Sequence, residues 1–160
     1  VPEDYGAFRN TFQWKSFSVS ANITYRFNYY FRHTSISYSN LFSRWLGNSD
    51  YDQRWQKPGD EKTTNVPSLV YPANSSRDNF YQLSEATVLK GDNIRLQDIN
   101  LSYEISKKQW QGLPFARLQV YLYANNLGIL WRANKYHLDP DYGSYYPAPR
   151  TFSLGFKTSF

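Results

Sequence analysis

The stretch Arg150-Thr151-Phe152-Ser153-Leu154-Gly155-Phe156-Lys157-Thr158-Ser159-Phe160 sets Phe152, Leu154, Phe156 and Phe160 at one parity and Ser153, Gly155, Lys157 and Ser159 at the other. In an extended chain successive side chains point to opposite faces, so one face is apolar and the other polar. The stretch therefore reads as a half-buried β-strand. It finishes on an aromatic ring, whereas the ends of soluble domains usually fray. About ten alternating residues are what a tilted strand needs to cross a bilayer. The expectation is the closing strand of an outer-membrane barrel.

The same alternation recurs upstream. Phe17, Val19, Ala21, Ile23, Tyr25, Phe27 and Tyr29 alternate with Ser18, Ser20, Asn22, Thr24, Arg26 and Asn28. That register runs for about 14 residues, against five or six in an average strand, and the excess favours a barrel wall. Before it, Pro2 to Gly6 reads as an opening turn, Phe8 to Trp14 as a strand, and Lys15-Ser16 as a tight hairpin connection. Ile94 to Ile105 predicts a third confident strand. Its apolar parity changes midway, from Ile94 and Leu96 to Ile99, Leu101, Tyr103 and Ile105, and a bulge near Asp98 restores one face. Leu118 to Asn125 follows as another strand.

Composition fits this pattern. Aromatic residues make up 19% of the 160, yet mean hydropathy is −0.69. Alternating strands reconcile the two, because the polar half of each strand masks the apolar half in any average. No apolar run approaches the ~20 residues of a membrane helix. With no cysteine and only His33 and His137, disulfides are excluded and a zinc centre lacks ligands. Asp139-Pro140-Asp141 begins like a calcium loop but lacks its later acidic positions, so a turn is expected and no metal. Asp60-Glu61 and the Asp139/Asp141 pair lack the cleft geometry of glycosidase carboxylates. No phosphate-cradling or nucleophile-elbow motif is present, so neither catalysis nor a cofactor is expected. The net charge of +5 is spread among strand ends and loops, and no nucleic-acid module accompanies it.

Connection lengths sort by side. Residues 31–91 form a very long connection, with a short amphipathic helix expected within His33 to Trp45, and residues 126–149 form another. Walking back from Phe160, both long connections fall on one side, and Lys15-Ser16 and residues 106–117 on the other. Outer-membrane barrels have this asymmetry, with long extracellular loops and short periplasmic turns.

Several ordered motifs resemble the C-terminal end of the SusC/RagA family of TonB-dependent transporters. They are Arg54-Trp55-Gln56-Lys57-Pro58-Gly59-Asp60-Glu61 with Thr63-Thr64-Asn65-Val66-Pro67; Leu89 to Tyr103, including Lys90-Gly91-Asp92-Asn93; Asn125-Asn126-Leu127; and Asp139-Pro140-Asp141 followed by Tyr146-Pro147-Ala148-Pro149-Arg150-Thr151-Phe152. Together they cover most of residues 54–160; Ile94 departs from the aromatic residue frequent there in the family.

The resemblance implies an all-β fold: the C-terminal antiparallel strands of a 22-stranded transmembrane barrel around a plug, with long extracellular loops. Residues 1–160 would then be the C-terminal segment, with the plug and earlier strands outside it. The implied function is active import of nutrients, glycans or peptides, across the outer membrane. The implied partners are a SusD-like surface lipoprotein, the remainder of the barrel and its plug, the TonB complex, the barrel-assembly machinery and membrane lipid. Trp45, Tyr51, Arg54, Trp55, Arg132, Tyr145 and Tyr146 are the loop candidates for substrate stacking and hydrogen bonding, although aromatic girdles and loop packing also use such residues. Phe152, Phe156 and Phe160 are the candidates for a barrel-assembly signal. The alternative is a secreted β-sandwich carbohydrate-binding module, which also combines alternating strands with aromatic loops.

Overall fold

The computed structural model describes residues 1–142 and 146–160. In chain order the elements are β1 (Asp4–Trp14), β2 (Phe17–Phe27), β3 (Tyr30–Arg32), α1 (Tyr38–Arg44), α2 (Ser75–Leu83), β4 (Val88–Lys90), β5 (Asn93–Ser106), β6 (Arg117–Arg132) and β7 (Thr151–Ser159). The fold is all-β in character, with antiparallel strands, and divides into two units. Val1–Tyr29, Gly91–Asp139 and Tyr146–Phe160 form the first; Tyr30–Lys90 with 140–142 forms the second.

The first unit is a five-stranded antiparallel sheet in the order β1-β2-β5-β6-β7. Each strand lies beside its predecessor within the unit, so connections alternate between the two ends of the sheet. The short turns, 15–16 and 107–116, share one end and are joined there: Gln109 Nε2 donates to Ser16 Oγ at 2.8 Å and the Glu104 N–H to the Ser16 carbonyl at 2.8 Å. The long connections leave from the other end.

The sequence reading places the strands correctly and misjudges three boundaries. β1 starts at Asp4, inside the expected turn, because Gly6 lies beneath the ring of Tyr25, its register partner. β2 stops at Phe27 because Asn28 adopts φ +58°, and the chain resumes as β3. β6 continues to Arg132, seven residues past the expected end. Its turn-like residues Asn126 and Gly128, at φ +55° and +136°, mark a bulge, after which the ladder resumes from Gly128 opposite Leu96 to Arg132 opposite Asn93. The bulge expected near Asp98 is present: Asn22 pairs with Asp98 and Ile23 with Leu96, leaving Gln97 as the extra residue.

The second unit is built around Ile36, Tyr38 and Val66, with Leu41, Tyr51 and Ala73 packed against them. The expected helix is α1, capped by Ser37, whose Oγ accepts from the Asn40 N–H at 3.3 Å. α2 was not foreseen; Asn74 caps it, accepting from the Arg77 N–H at 3.1 Å. Two buried carboxylates tie the loops. Asp50 accepts from the Ile36 N–H at 3.1 Å and from Ser35 Oγ; Asp78 accepts from the Ser39 N–H at 2.9 Å and Ser37 Oγ at 3.2 Å. Burial pushes the Tyr38 hydroxyl up to about 12, despite the nearby Arg77 and Arg54 cations. That hydroxyl donates to the Pro67 carbonyl at 2.5 Å. β3 and β4 pair as a short ribbon of their own.

Candidate functional site

Register across the five strands assembles two chemically distinct faces. On one, Phe12, Val19, Leu101, Leu122 and Leu154 line up in a single row, and Trp14, Phe17, Tyr103, Val120 and Phe156 form the next. On the other, the rows are Gln13, Ser18, Ser102, Tyr121 and Gly155; Thr11, Ser20, Asn100, Tyr123 and Ser153; and Arg9, Asn22, Asp98, Asn125 and Thr151. The bulge at Gln97 makes this separation possible, because without it Asp98 and Asn100 would share the face of Leu96.

Among the described residues of the first unit, nothing covers the apolar face. Leu154 is 77% and Phe156 74% exposed, and Val19 and Ile23 are only half-buried. Among the described residues, the buried apolar side chains are Ile36, Tyr38, Val66 and Tyr81 of the second unit and Leu113 of the 107–116 turn, none on the five strands. A sandwich needs a second sheet packed about 10 Å away on this face. The described residues supply none.

Aromatic rings mark both margins of the apolar face. Tyr25 stacks on Phe27, with centroids 5.6 Å apart, and Phe27 meets Trp131 edge-on at 6.2 Å. At the short-turn end lie Trp14, Phe17, Tyr103 and Phe156, and Phe115 meets Phe160 edge-on at 5.2 Å.

The polar face is cross-linked near the long connections. Arg95 grips Asp139 with Nη2 at 2.7 and 2.8 Å from the two carboxylate oxygens, and Nη1 reaches Asn126 Oδ1 at 3.4 Å. Asn126 donates in turn to the Ala148 carbonyl at 2.5 Å. The Asp-Pro-Asp stretch therefore spends its first carboxylate on a guanidinium. Asp98 Oδ2 accepts from Arg9 Nη2 at 3.0 Å and from Asn22 Nδ2 at 2.9 Å. Sequence reasoning passed over both clusters, although an Asp and an Arg within an otherwise alternating strand, beside a parity change, were the signal.

The predicted loop residues fall into separate places. Tyr51, Arg54 and Trp55 lie in the second unit, where Arg54 engages Tyr51 and Trp55 engages the loop. The Arg54 guanidinium lies 4.0 Å from the Tyr51 ring centroid and donates to the Tyr51 carbonyl at 3.0 Å. Trp55 Nε1 donates to Glu61 Oε2 at 3.2 Å, and Glu61 also accepts from the Gly59 N–H at 2.7 Å. Trp45 caps the end of α1 at φ +56° with its side chain 90% exposed. In the first unit Arg132 closes β6 and donates to the His137 carbonyl, while Tyr146 is fully exposed. Tyr145 lies outside the described residues. Phe152 and Phe156 stand on the apolar face of β7, and Phe160 follows its end.

No family model matches the chain, and no curated protein matches it. Solved structures do. The RagAB peptide importer in the "open-open" state aligns with 100% of this chain at TM-score 0.70 and 21% identity, and in the "closed-closed" state at 0.69 and 21%. A further structure, of the RagAB peptide transporter, aligns with 92% at 0.63 and 21%. The chain spans 17% of the length of the first two and 16% of the third. At this identity the likeness is one of fold, and it extends over both the strands and the loops.

Proposed function

We propose that this chain is the C-terminal segment of a SusC/RagA-type outer-membrane importer, drawing nutrients into the cell with a SusD-like lipoprotein and energised through TonB. The observation that carries the reading is the uncovered apolar face opposite a polar one. Such a sheet is poorly suited to stand alone in water, since monomeric soluble proteins rarely expose apolar patches beyond a few hundred Å². In a barrel wall the same face meets lipid and the polar face meets the lumen.

The dimensions agree. The eleven residues of β2 from Phe17 to Phe27 carry aromatic rings at both ends. At ~3.4 Å per step they span about 34 Å, and a tilt of ~40° reduces this to about 26 Å, close to the ~25 Å apolar band of outer-membrane barrels. The outer edges of β1 and β7 have no neighbour among the described residues, as expected where further strands of the barrel continue. The long connections, with Trp45, Tyr51, Arg54, Trp55 and Tyr146, and Arg132 at the end of β6, then face outward, where a substrate arrives. Import of this kind is binding and gating, with no covalent step. Phe152, Phe156 and Phe160 serve as the assembly signal.

Uptake by cells carrying or lacking the full protein tests the proposal. Accumulation of labelled oligopeptides or oligosaccharides is expected only with the protein present, and is expected to stop when an uncoupler collapses the inner-membrane proton gradient. Uptake that survives the uncoupler, or that is unchanged by the gene's deletion for both solute classes, contradicts it.

A further inference from the structure

The end of the five-stranded sheet that carries the short turns is basic as well as aromatic. Residues 13–18, 103–118 and 154–160 make up that end, and they hold five cations, Lys15, Lys107, Lys108, Arg117 and Lys157, against one carboxylate, Glu104. Glu104 is taken up by Arg117, at 3.8 Å. Lys157 belongs to the polar face, in register with Gln119. Lys15, Lys107 and Lys108 are different. All three are exposed, and the ion pairs of the described residues leave them without a carboxylate.

Two turns bring these lysines together. Lys15 sits in the 15–16 turn and Lys107-Lys108 open the 107–116 turn, and the bonds from Gln109 and Glu104 to Ser16, each 2.8 Å, hold one turn against the other. Indole rings stand on the same turns. Trp14, on the apolar face, is 63% exposed and has the Lys15 ammonium 5.0 Å from its ring centroid, and Trp110 is 57% exposed. Lys15 holds φ +53°, a left-handed conformation that glycine or asparagine adopts at less cost. A long cation where the backbone favours those residues points to a use for its side chain.

Lysines and tryptophans at one level, next to an apolar face, match the chemistry of a phospholipid. Ammonium groups meet a phosphate, indoles sit at headgroup depth, and acyl chains run along the apolar residues. A surface for an acidic protein has no need to continue into an apolar sheet face. This one does continue, through the row of Trp14, Phe17, Tyr103 and Phe156.

We infer that Lys15, Lys107 and Lys108, with Trp14 and Trp110, form a site for the phosphate headgroup of an anionic phospholipid in the leaflet on the short-turn side. The inference rests on the importer reading, which places this end at a bilayer surface. The charge of the three lysines is uncompensated within the described residues, so an anionic headgroup such as phosphatidylglycerol is preferred over a zwitterionic one.

Native mass spectrometry of the detergent-solubilised full protein, offered phosphatidylglycerol and phosphatidylethanolamine in equal amounts, tests it. Wild type is expected to retain phosphatidylglycerol in excess. Replacing a lysine by glutamine keeps most of the side-chain length and removes the charge. The excess is expected to fall about fivefold for each lysine replaced, the scale of one cation near an anionic surface, from Lys107→Gln with Lys108→Gln to the triple variant with Lys15→Gln. The double variant serves if the triple one fails to assemble. Lys157→Gln, on the polar face, is expected to leave the excess unchanged. Glycerophosphoglycerol, the same headgroup without chains, is expected not to displace the lipid at equal concentration; displacement would mark a free-phosphate site and overturn the lipid assignment. An excess that the lysine variants retain also overturns the inference, and assigns these lysines to another anionic partner. A wild-type protein that forms no heat-modifiable barrel fails the importer reading, whereas a heat-modifiable barrel without the excess fails this inference alone.

Discussion

At the scale of single residues, the closing strand depends on a glycine that its sequence pattern does not explain. Gly155 occupies a polar-face position where alternation would accept almost any hydrophilic residue. The register puts it opposite Tyr121, and a Cβ on Gly155 would lie 2.5 Å from the Tyr121 Cζ and Oη. Gly155→Val is therefore expected to destabilise the detergent-solubilised full protein by about 1–3 kcal/mol, read as a lower denaturation midpoint. Adding Tyr121→Ser should recover most of the loss. A neutral Gly155→Val would mean that the ring does not fill that space. Asp60 and Glu61 make a second prediction. The N–H groups of Gln56 and Lys57 hold the Asp60 carboxyl below its ordinary 3.8. The Glu61 carboxyl is held below 4.5 by its own N–H, the Trp55 indole and the Gly59 N–H. Both values are lowered in the folded turn, so its stabilisation is complete above the ordinary carboxylate range and fades as pH falls through it. Exchange at the Gln56 and Lys57 amides, corrected for the intrinsic rate, should accelerate below about pH 4. Asp60→Asn should flatten that response.

At the scale of elements, alternation located all five long strands, because period-two patterning is a direct consequence of having one apolar and one polar face. Ends were harder. Asn126-Leu127-Gly128 has turn composition, yet the β5–β6 ladder closes again beyond it, and a bulge uses the same positive-φ residues as a turn. α2 went unseen because Ser75–Leu83 is mostly polar and its fixing contacts are buried carboxylate bonds distant in sequence, such as Asp78 to Ser39. The pairing of Arg95 with Asp139 was hidden for the same reason, since the two are far apart along the chain. The resemblance in the Arg54–Glu61 stretch was legible as a motif, but its internal hydrogen bonding to Trp55 and Gly59 was not. The bulge offers the sharpest prediction at this level. Deleting Gln97 forces Asn93 to Leu96 onto the wrong faces or slips the whole register. The full protein is expected to lose its heat-modifiable form entirely, whereas Gln97→Ala should retain it. A folded deletion variant would show that the register is set elsewhere.

At the scale of the whole molecule, a sheet whose apolar face lacks protein cover belongs to something larger or to a non-aqueous environment, and the proposed function supplies both. On the proposed reading β7 is a wall strand that carries the aromatic signal, so removal of residues 152–160 from the full protein should abolish outer-membrane assembly. Normal assembly of the truncated protein would remove the role assigned to Phe152, Phe156 and Phe160. The central claim is that lipid covers the apolar face. The absence of cysteine from these residues makes single nitroxide labels straightforward to place. Labels at positions 101, 122 and 154 in the full protein, reconstituted in bilayers, should collide freely with dissolved oxygen and scarcely with a water-soluble nickel chelate. Labels at 102, 121 and 153 should not show that oxygen preference. If positions 101, 122 and 154 are shielded from both reagents, the face packs against protein and the barrel account is wrong.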